Sequence, residues 1–147
     1  MLRNFTHPFK WAIVILAALA INSGVQAQMP GWNHAVPVWI HEQGGVNQFD
    51  IQVELRYDTQ TPVAAGEMDS LGHDIRFARN CDGSQPLDFL VGGHFNTDST
   101  RLYVDIDTLL ANDSIKFYMI YGNDTASSAG DPSIFNGPHS STDSVIP

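Results

Sequence analysis

Cysteine is nearly absent: Cys81 is the one thiol in 147 residues. That excludes an internal disulfide framework and a cysteine-built zinc site. Basic residues are also scarce, with seven Lys and Arg against sixteen Asp and Glu. Two of the seven, Arg3 and Lys10, lie in the first ten positions, while every acid falls after position 40. The field of the remaining chain repels polyphosphates, which argues against nucleic acid as a partner. No apolar run reaches the roughly 20 residues that a membrane-spanning helix needs. Histidine pairs of the His-x-x-x-His or His-Glu-x-x-His kind are missing, since His34, His41, His73, His94 and His139 are scattered. Zinc is therefore unsupported, and no Gly-x-Gly-x-x-Gly, Walker loop or Gly-x-Ser-x-Gly elbow stands in the chain.

What is present begins with a leader. Arg3 and Lys10 precede an uninterrupted apolar run, Trp11–Ile21, and then Asn22-Ser-Gly-Val-Gln-Ala27 with small residues at its end. That order is the pattern of a helical signal peptide cleaved after Ala27. The competing readings are an uncleaved anchor and a buried first helix. The expected organisation is a signal peptide over 1–27, one domain over 28–135 and a Ser/Pro-rich tail over 136–147. The expected location is exported: secreted, cell surface or periplasmic, with no membrane attachment after cleavage. In an oxidising compartment Cys81 is either an unremarkable half-exposed thiol or the site of an intermolecular bridge.

Past the leader the apolar period is two. Phe49, Ile51, Val53, Leu55 and Tyr57 point one way, and Asp50, Gln52, Glu54 and Arg56 point the other. Such alternation makes a strand with one buried and one wet face. The same pattern recurs at Val36, Val38 and Ile40, at Ile75 and Phe77, and at Leu102, Val104 and Ile106. Leu87–Val91 is a short apolar run. Ile115–Tyr121 is apolar on both sides, as suits a central strand. Turn residues separate these segments at Glu42–Asn47 and Asn80–Ser84, and Pro62 suits the start of one helical turn between Thr61 and Met68. About six strands predict an all-β fold, an antiparallel β-sandwich of jelly-roll or immunoglobulin-like kind, with an open barrel as the alternative.

Several of these segments carry a pattern of their own. Trp32-Asn-His-Ala-Val-Pro-Val-Trp-Ile40 is followed by Met68-Asp-Ser-Leu-Gly-His-Asp-Ile-Arg-Phe77, then Asp82-Gly83. Phe117-Tyr-Met-Ile-Tyr-Gly-Asn-Asp-Thr-Ala126 and Ser133-Ile-Phe135 close the series. In this order they resemble a bacterial and archaeal family, domain of unknown function 2341, over Trp32 to Phe135. The family's elements are Trp-x-Tyr-Arg-x-Pro-Ile-x-Ile, Met-x-x-x-Gly-x-Asp-Ile-Arg-Phe and Tyr-x-Tyr-Tyr-Gly-Asn. The chain departs from it at Leu87–Gly92 and Tyr103–Asp107, where the family is richer in aromatics, and at Val36, where the family has a basic residue. The resemblance implies an exported accessory module, found elsewhere beside lectin-like sandwiches, immunoglobulin-like repeats or ExbB/TolQ/MotA-type channel segments. It implies no activity, so no catalytic residue is carried over.

The chemistry-bearing residues are read as follows. Most carboxylates occupy wet strand phases (Asp50, Glu54, Asp105) or turns (Asp58, Asp82, Asp113), where a solvated face explains them better than the paired acids of a glycosidase. Asp74 and Arg76 are expected to act as a structural pair that fixes the adjacent loop. No cofactor is expected; calcium is the one inorganic partner such loops would suit, with Asp82 the best candidate ligand and Asp98, Asp105 and Asp107 behind it. An EF-hand spacing is absent. Trp32 and Trp39 are the candidate ligand-stacking aromatics, and their odd separation places them on opposite faces of a continuous strand. The expected function is a non-enzymatic exported module for surface structure, adhesion or assembly. Its partner would be itself or another surface protein at an open strand edge. The alternative is a carbohydrate-binding module, and an enzyme comes third.

Overall fold

A computed structural model describes residues 29–136. The leader expected at 1–27 lies outside the described residues, as does the expected tail beyond Asn136. Among the described residues six strands form: β1 (His34–His41), β2 (Gln48–Tyr57), β3 (Arg76–Ala78), β4 (Phe89–Val91), β5 (Thr100–Leu109) and β6 (Ser114–Tyr121). One helical turn, α1 (Gln60–Ala64), follows β2, with Pro62 in its first turn. The strands make two three-stranded antiparallel sheets, β1-β6-β3 and β2-β5-β4. The all-β sandwich is thus the observed architecture, and β6 is central, as its two apolar faces require.

The core lies between the sheets and follows the period of two. Val38 and Ile40 of β1, Val53 and Leu55 of β2, Phe77, Phe89, and Leu102, Val104 and Ile106 of β5 all enter it. Phe117 and Met119 complete it from β6. A second, smaller cluster sits on the outside of the first sheet, where Ala35, Ala78 and Ile120 are covered by Met29, Trp32, Cys81 and Tyr118. This extra layer is why Ile120 is buried although it alternates with Phe117 and Met119.

Two expectations from alternation are corrected. Phe49 does not enter the core and is 61% exposed. Asp50 takes a left-handed backbone with φ 47°, which breaks the side-chain alternation at that point. Pairing remains continuous on either side, with Phe49 opposite Thr108 and Ile51 opposite Ile106. Trp32 and Trp39 do not take opposite faces. Trp32 precedes β1 in a turn and folds over the outer cluster, so both rings lie on the outside of the β1-β6-β3 sheet.

One buried carboxylate holds an end of the sandwich. Glu42, just after β1, accepts hydrogen bonds from the backbone N–H groups of Gly44 (2.6 Å), Gly45 (2.8 Å) and Asn112 (2.9 Å). It therefore ties the β1–β2 turn to the β5–β6 turn, two of the places where the chain changes sheet. The Asn112 bond, with those from the Gly44 and Gly45 amides, holds the Glu42 pKa below the ordinary carboxylate value against the opposing effect of burial. A folded-state value below the unfolded one contributes stability above the unfolded pKa, and that contribution is lost as pH falls through the lowered value. Glu42→Gln is thus expected to lower the urea midpoint at neutral pH. The gap from the parent protein should close below about pH 4. A gap that stays constant across that range would show that the charge of Glu42 is not what holds the turns.

Candidate functional site

The residues of the family-like pattern meet at the other end of the sandwich. Asp74, just before β3, is 1% exposed, and its Oδ2 accepts a 2.8 Å hydrogen bond from the backbone N–H of Gly122, just after β6. The Asp74 carbonyl accepts the indole N–H of Trp32 at 3.1 Å. Asp74 Oδ1 is buried and has no hydrogen-bond partner among the described residues. The Arg76 guanidinium lies 5.5 Å from the centre of the Trp32 ring. It donates to the carbonyls of His73 (2.9 Å), Ile75 (2.6 Å) and Ser127 (2.7 Å). Partial burial lowers the Arg76 pKa, while Asp74 pulls the other way.

Asp74 and Arg76 make no direct ion pair among the described residues. Each instead fastens a different segment to the same strand: Asp74 takes the chain leaving β6, and Arg76 takes the loop at Ser127. Tyr121 stacks on His34 at 4.8 Å between ring centres. Burial pushes the Tyr121 and Tyr57 phenols upward. Together these contacts make a clasp across Trp32, Asp74, Arg76, Tyr121 and Gly122. Sequence reasoning singled out Trp32, Asp74 and Arg76 but missed Gly122, although Tyr-Gly-Asn was in the pattern that could have found it.

The carboxylates read as calcium ligands are dispersed. Asp82 sits in the exposed Asn80–Ser84 turn, where its Oδ1 accepts from the Ser84 N–H (2.8 Å) and the Ser84 hydroxyl (2.6 Å). These bonds, the hydroxyl's first, lower the Asp82 pKa. Asp98 is exposed in the β4–β5 loop, whereas Asp105 and Asp107 lie on the outer phase of β5. Among the described residues no three His, Cys, Asp or Glu side chains converge as they would around a metal. Cys81 is a half-buried free thiol packed on the outer cluster beside Trp32 and Met29.

Beyond the clasp, the outside of the first sheet presents aromatic rings. Trp39 of β1 is 59% exposed and pairs across the ladder with Lys116 of β6, while Pro37 pairs with Tyr118. The Lys116 ammonium sits 5.4 Å from the Trp39 ring centre and 4.7 Å from that of Tyr118. Trp39, Pro37 and Tyr118 form an apolar patch with the Lys116 cation beside both rings, next to the β1 edge of the sheet. Both long edges carry features that oppose strand addition. β1 has Pro37 at its middle, and β2 has the left-handed Asp50 near its start.

Two stacked antiparallel sheets with this clasp define the chain as an all-β sandwich module. Residues 71–135 match the model of the family described as Domain of unknown function (DUF2341), which bears out the family resemblance over that stretch. The match contains Asp74, Arg76, Tyr121 and Gly122, and Trp32 lies before it. A search of curated proteins and a search of solved structures each return no match.

Proposed function

We propose that the chain is a non-enzymatic exported module that serves adhesion by holding a neutral saccharide on the Trp39–Tyr118 face. The observation that carries this reading is a tryptophan standing mostly in solvent on a regular strand, next to a second aromatic ring and a lysine. Contiguous exposed apolar surface rimmed by polar groups is the form that ligand-binding faces take. Sugar rings offer flat C–H faces to such rings, and Lys116 supplies donors for their hydroxyl groups. Strand-edge assembly is the weaker reading, because Pro37 and Asp50 interrupt both long edges. The acids support a non-catalytic role, since Asp58, Asp82 and Asp131 each bond the hydroxyl and backbone of a residue two or three positions on. Those bonds, the hydroxyl's first, hold their pKa values below the ordinary range.

The test is a neutral-glycan array followed by titration of the best ligand, read by tryptophan fluorescence. Trp39→Ala is expected to weaken binding about tenfold or more, as loss of a central aromatic anchor does. Trp39→Phe should recover part of that loss. Equal affinity of the Trp39→Ala variant, or no neutral glycan bound, would remove the saccharide reading. A mass that grows with concentration in light scattering would then restore edge assembly.

A further inference from the structure

The second sheet carries a different feature on its outer face. Arg56 of β2 stands directly opposite Arg101 of β5 in the ladder. Like charges in that position are destabilising. They are also two of only seven basic residues in an acidic chain. One carboxylate compensates both: Glu54 Oε1 lies 3.0 Å from Arg56 Nε and 3.8 Å from Arg101 Nε. The local sum of these three side chains is still positive. Both arginines remain more than half exposed, at 57% and 53% of their side chains.

Beside them is a groove of about 380 Å³ lined by Arg56, Gly93, His94, Ser99, Arg101 and Tyr103. Its wall, the β4–β5 loop, is fixed rather than loose. Gly92 donates its N–H to the Arg101 carbonyl at 2.8 Å, and a Cβ at Gly92 would meet that oxygen at 2.9 Å and the Tyr103 ring at 3.1 Å. His94 holds a left-handed φ of 65°, and its carbonyl accepts from the hydroxyls of Thr97 (3.1 Å) and Thr100 (3.4 Å). The fully buried Thr59 takes the Asn96 N–H at 3.1 Å and bonds the Thr100 hydroxyl at 2.6 Å, anchoring the loop from below.

We infer that this groove binds a saccharide bearing an oxyanion, a carboxylate or a sulfate, with Arg56 and Arg101 as its clamp. Two guanidinium forks side by side match the planar or tripod geometry of such a group and bind it through charge-assisted hydrogen bonds. The adjoining polar wall of Gly93, His94 and Ser99 suits hydroxyls next to the anion. The Tyr103 ring gives the sugar an apolar floor, and the groove's volume falls within the range of small-molecule sites. Binding of the anion also relieves the unfavourable arginine pair. The site lies on the sheet opposite Trp39, so it stands independently of the neutral-saccharide reading.

The experiment is calorimetric titration of the purified protein with a galacturonic acid oligomer, a sulfated galactose oligomer and the neutral galactose oligomer of equal length. One or both acidic oligomers should bind saturably and at least about tenfold more tightly than the neutral one, the difference that charge-assisted bonds supply. Which of the two binds better identifies the oxyanion. Arg56→Gln and Arg101→Gln should each weaken that binding about tenfold without lowering Tm, because both side chains are largely in solvent. Glu54→Gln, which removes the competing carboxylate, should tighten it, and Trp39→Ala should leave it unchanged. The inference is overturned by absence of saturable binding or by equal affinity for the neutral oligomer. It is equally overturned by arginine variants that bind like the parent, or by competition from an aspartate-rich peptide that no acidic oligomer can match.

Discussion

Gly122→Ala is expected to cost about 3 kcal/mol or more of folding stability, combining backbone strain with overpacking. Gly122 has a φ of +90°, where side-chain-bearing residues are strained. An added Cβ would also meet His34 Cδ2 at 2.8 Å, the Glu67 carbonyl at 3.1 Å and Asn33 Cβ at 3.2 Å. The histidine ring is itself stacked on Tyr121, and the Glu67 oxygen is backbone, so neither yields cheaply. Any shift of Gly122 also moves its N–H away from Asp74 and leaves a buried carboxylate with one bond fewer. Gly66→Ala is the matched control, because Gly66 has a similar φ of +72° but nothing within 4 Å of its Cβ position. It should cost only the conformational penalty, about 1–2 kcal/mol. Urea denaturation of the two variants isolates the steric part as their difference. Equal losses would mean that the clasp accommodates a methyl group and that Gly122 is needed for its backbone angle alone.

The clasp also shows how far the sequence could be read. Alternation identifies β2, β5 and β6 because a half-buried strand imposes a period of two on a short stretch, and that period is local. The partners in the clasp are not local: Trp32 and Asp74 are 42 residues apart, and Asp74 and Gly122 are 48 apart. A family resemblance marks each piece, but only the pairing of β1 and β3 with β6 brings them to one end. Glu42 reads as one more solvated acid until two sheet-crossing turns close around it. The Arg56–Arg101 pair is equally hidden, since β2 pairs with β5 across an intervening helical turn, a strand that joins the other sheet and a strand that takes the far side of β5. The reading failed at Phe49, and the continuous strand on which the opposite facing of Trp32 and Trp39 depended does not extend to Trp32; in each case one backbone feature was the reason. Asp50 adopts a left-handed conformation that Asp permits but does not announce, and Trp32 closes the Met29–Trp32 turn ahead of β1.

Phe77→Ala is expected to cost about 3–5 kcal/mol, the range for removing a buried phenylalanine ring. Phe77 is 1% exposed and joins three strands: its ring is 5.3 Å from that of Phe89 and 6.1 Å from that of Phe117. Phe89 belongs to the opposite sheet, so the contact holds the two sheets together at their short-strand side. β3 and β4 have three residues each, against ten in both β2 and β5, so few ladder bonds compensate for lost packing there. Phe77→Leu keeps most of the volume and should cost less than about 1.5 kcal/mol. Hydrogen exchange of Phe77→Ala should show the amides of β3 and β4 losing protection before those of the β2–β5 ladder. The Trp39 patch draws its residues from the long β1–β6 ladder and should outlast that local opening, whereas the arginine groove keeps Arg56, Arg101 and Tyr103 on the β2–β5 ladder but loses the support of its β4–β5 wall. Simultaneous loss of protection throughout would instead mean that the sandwich opens as one cooperative unit, with ring packing between β3 and β4 as necessary to the binding faces as the strands that carry them.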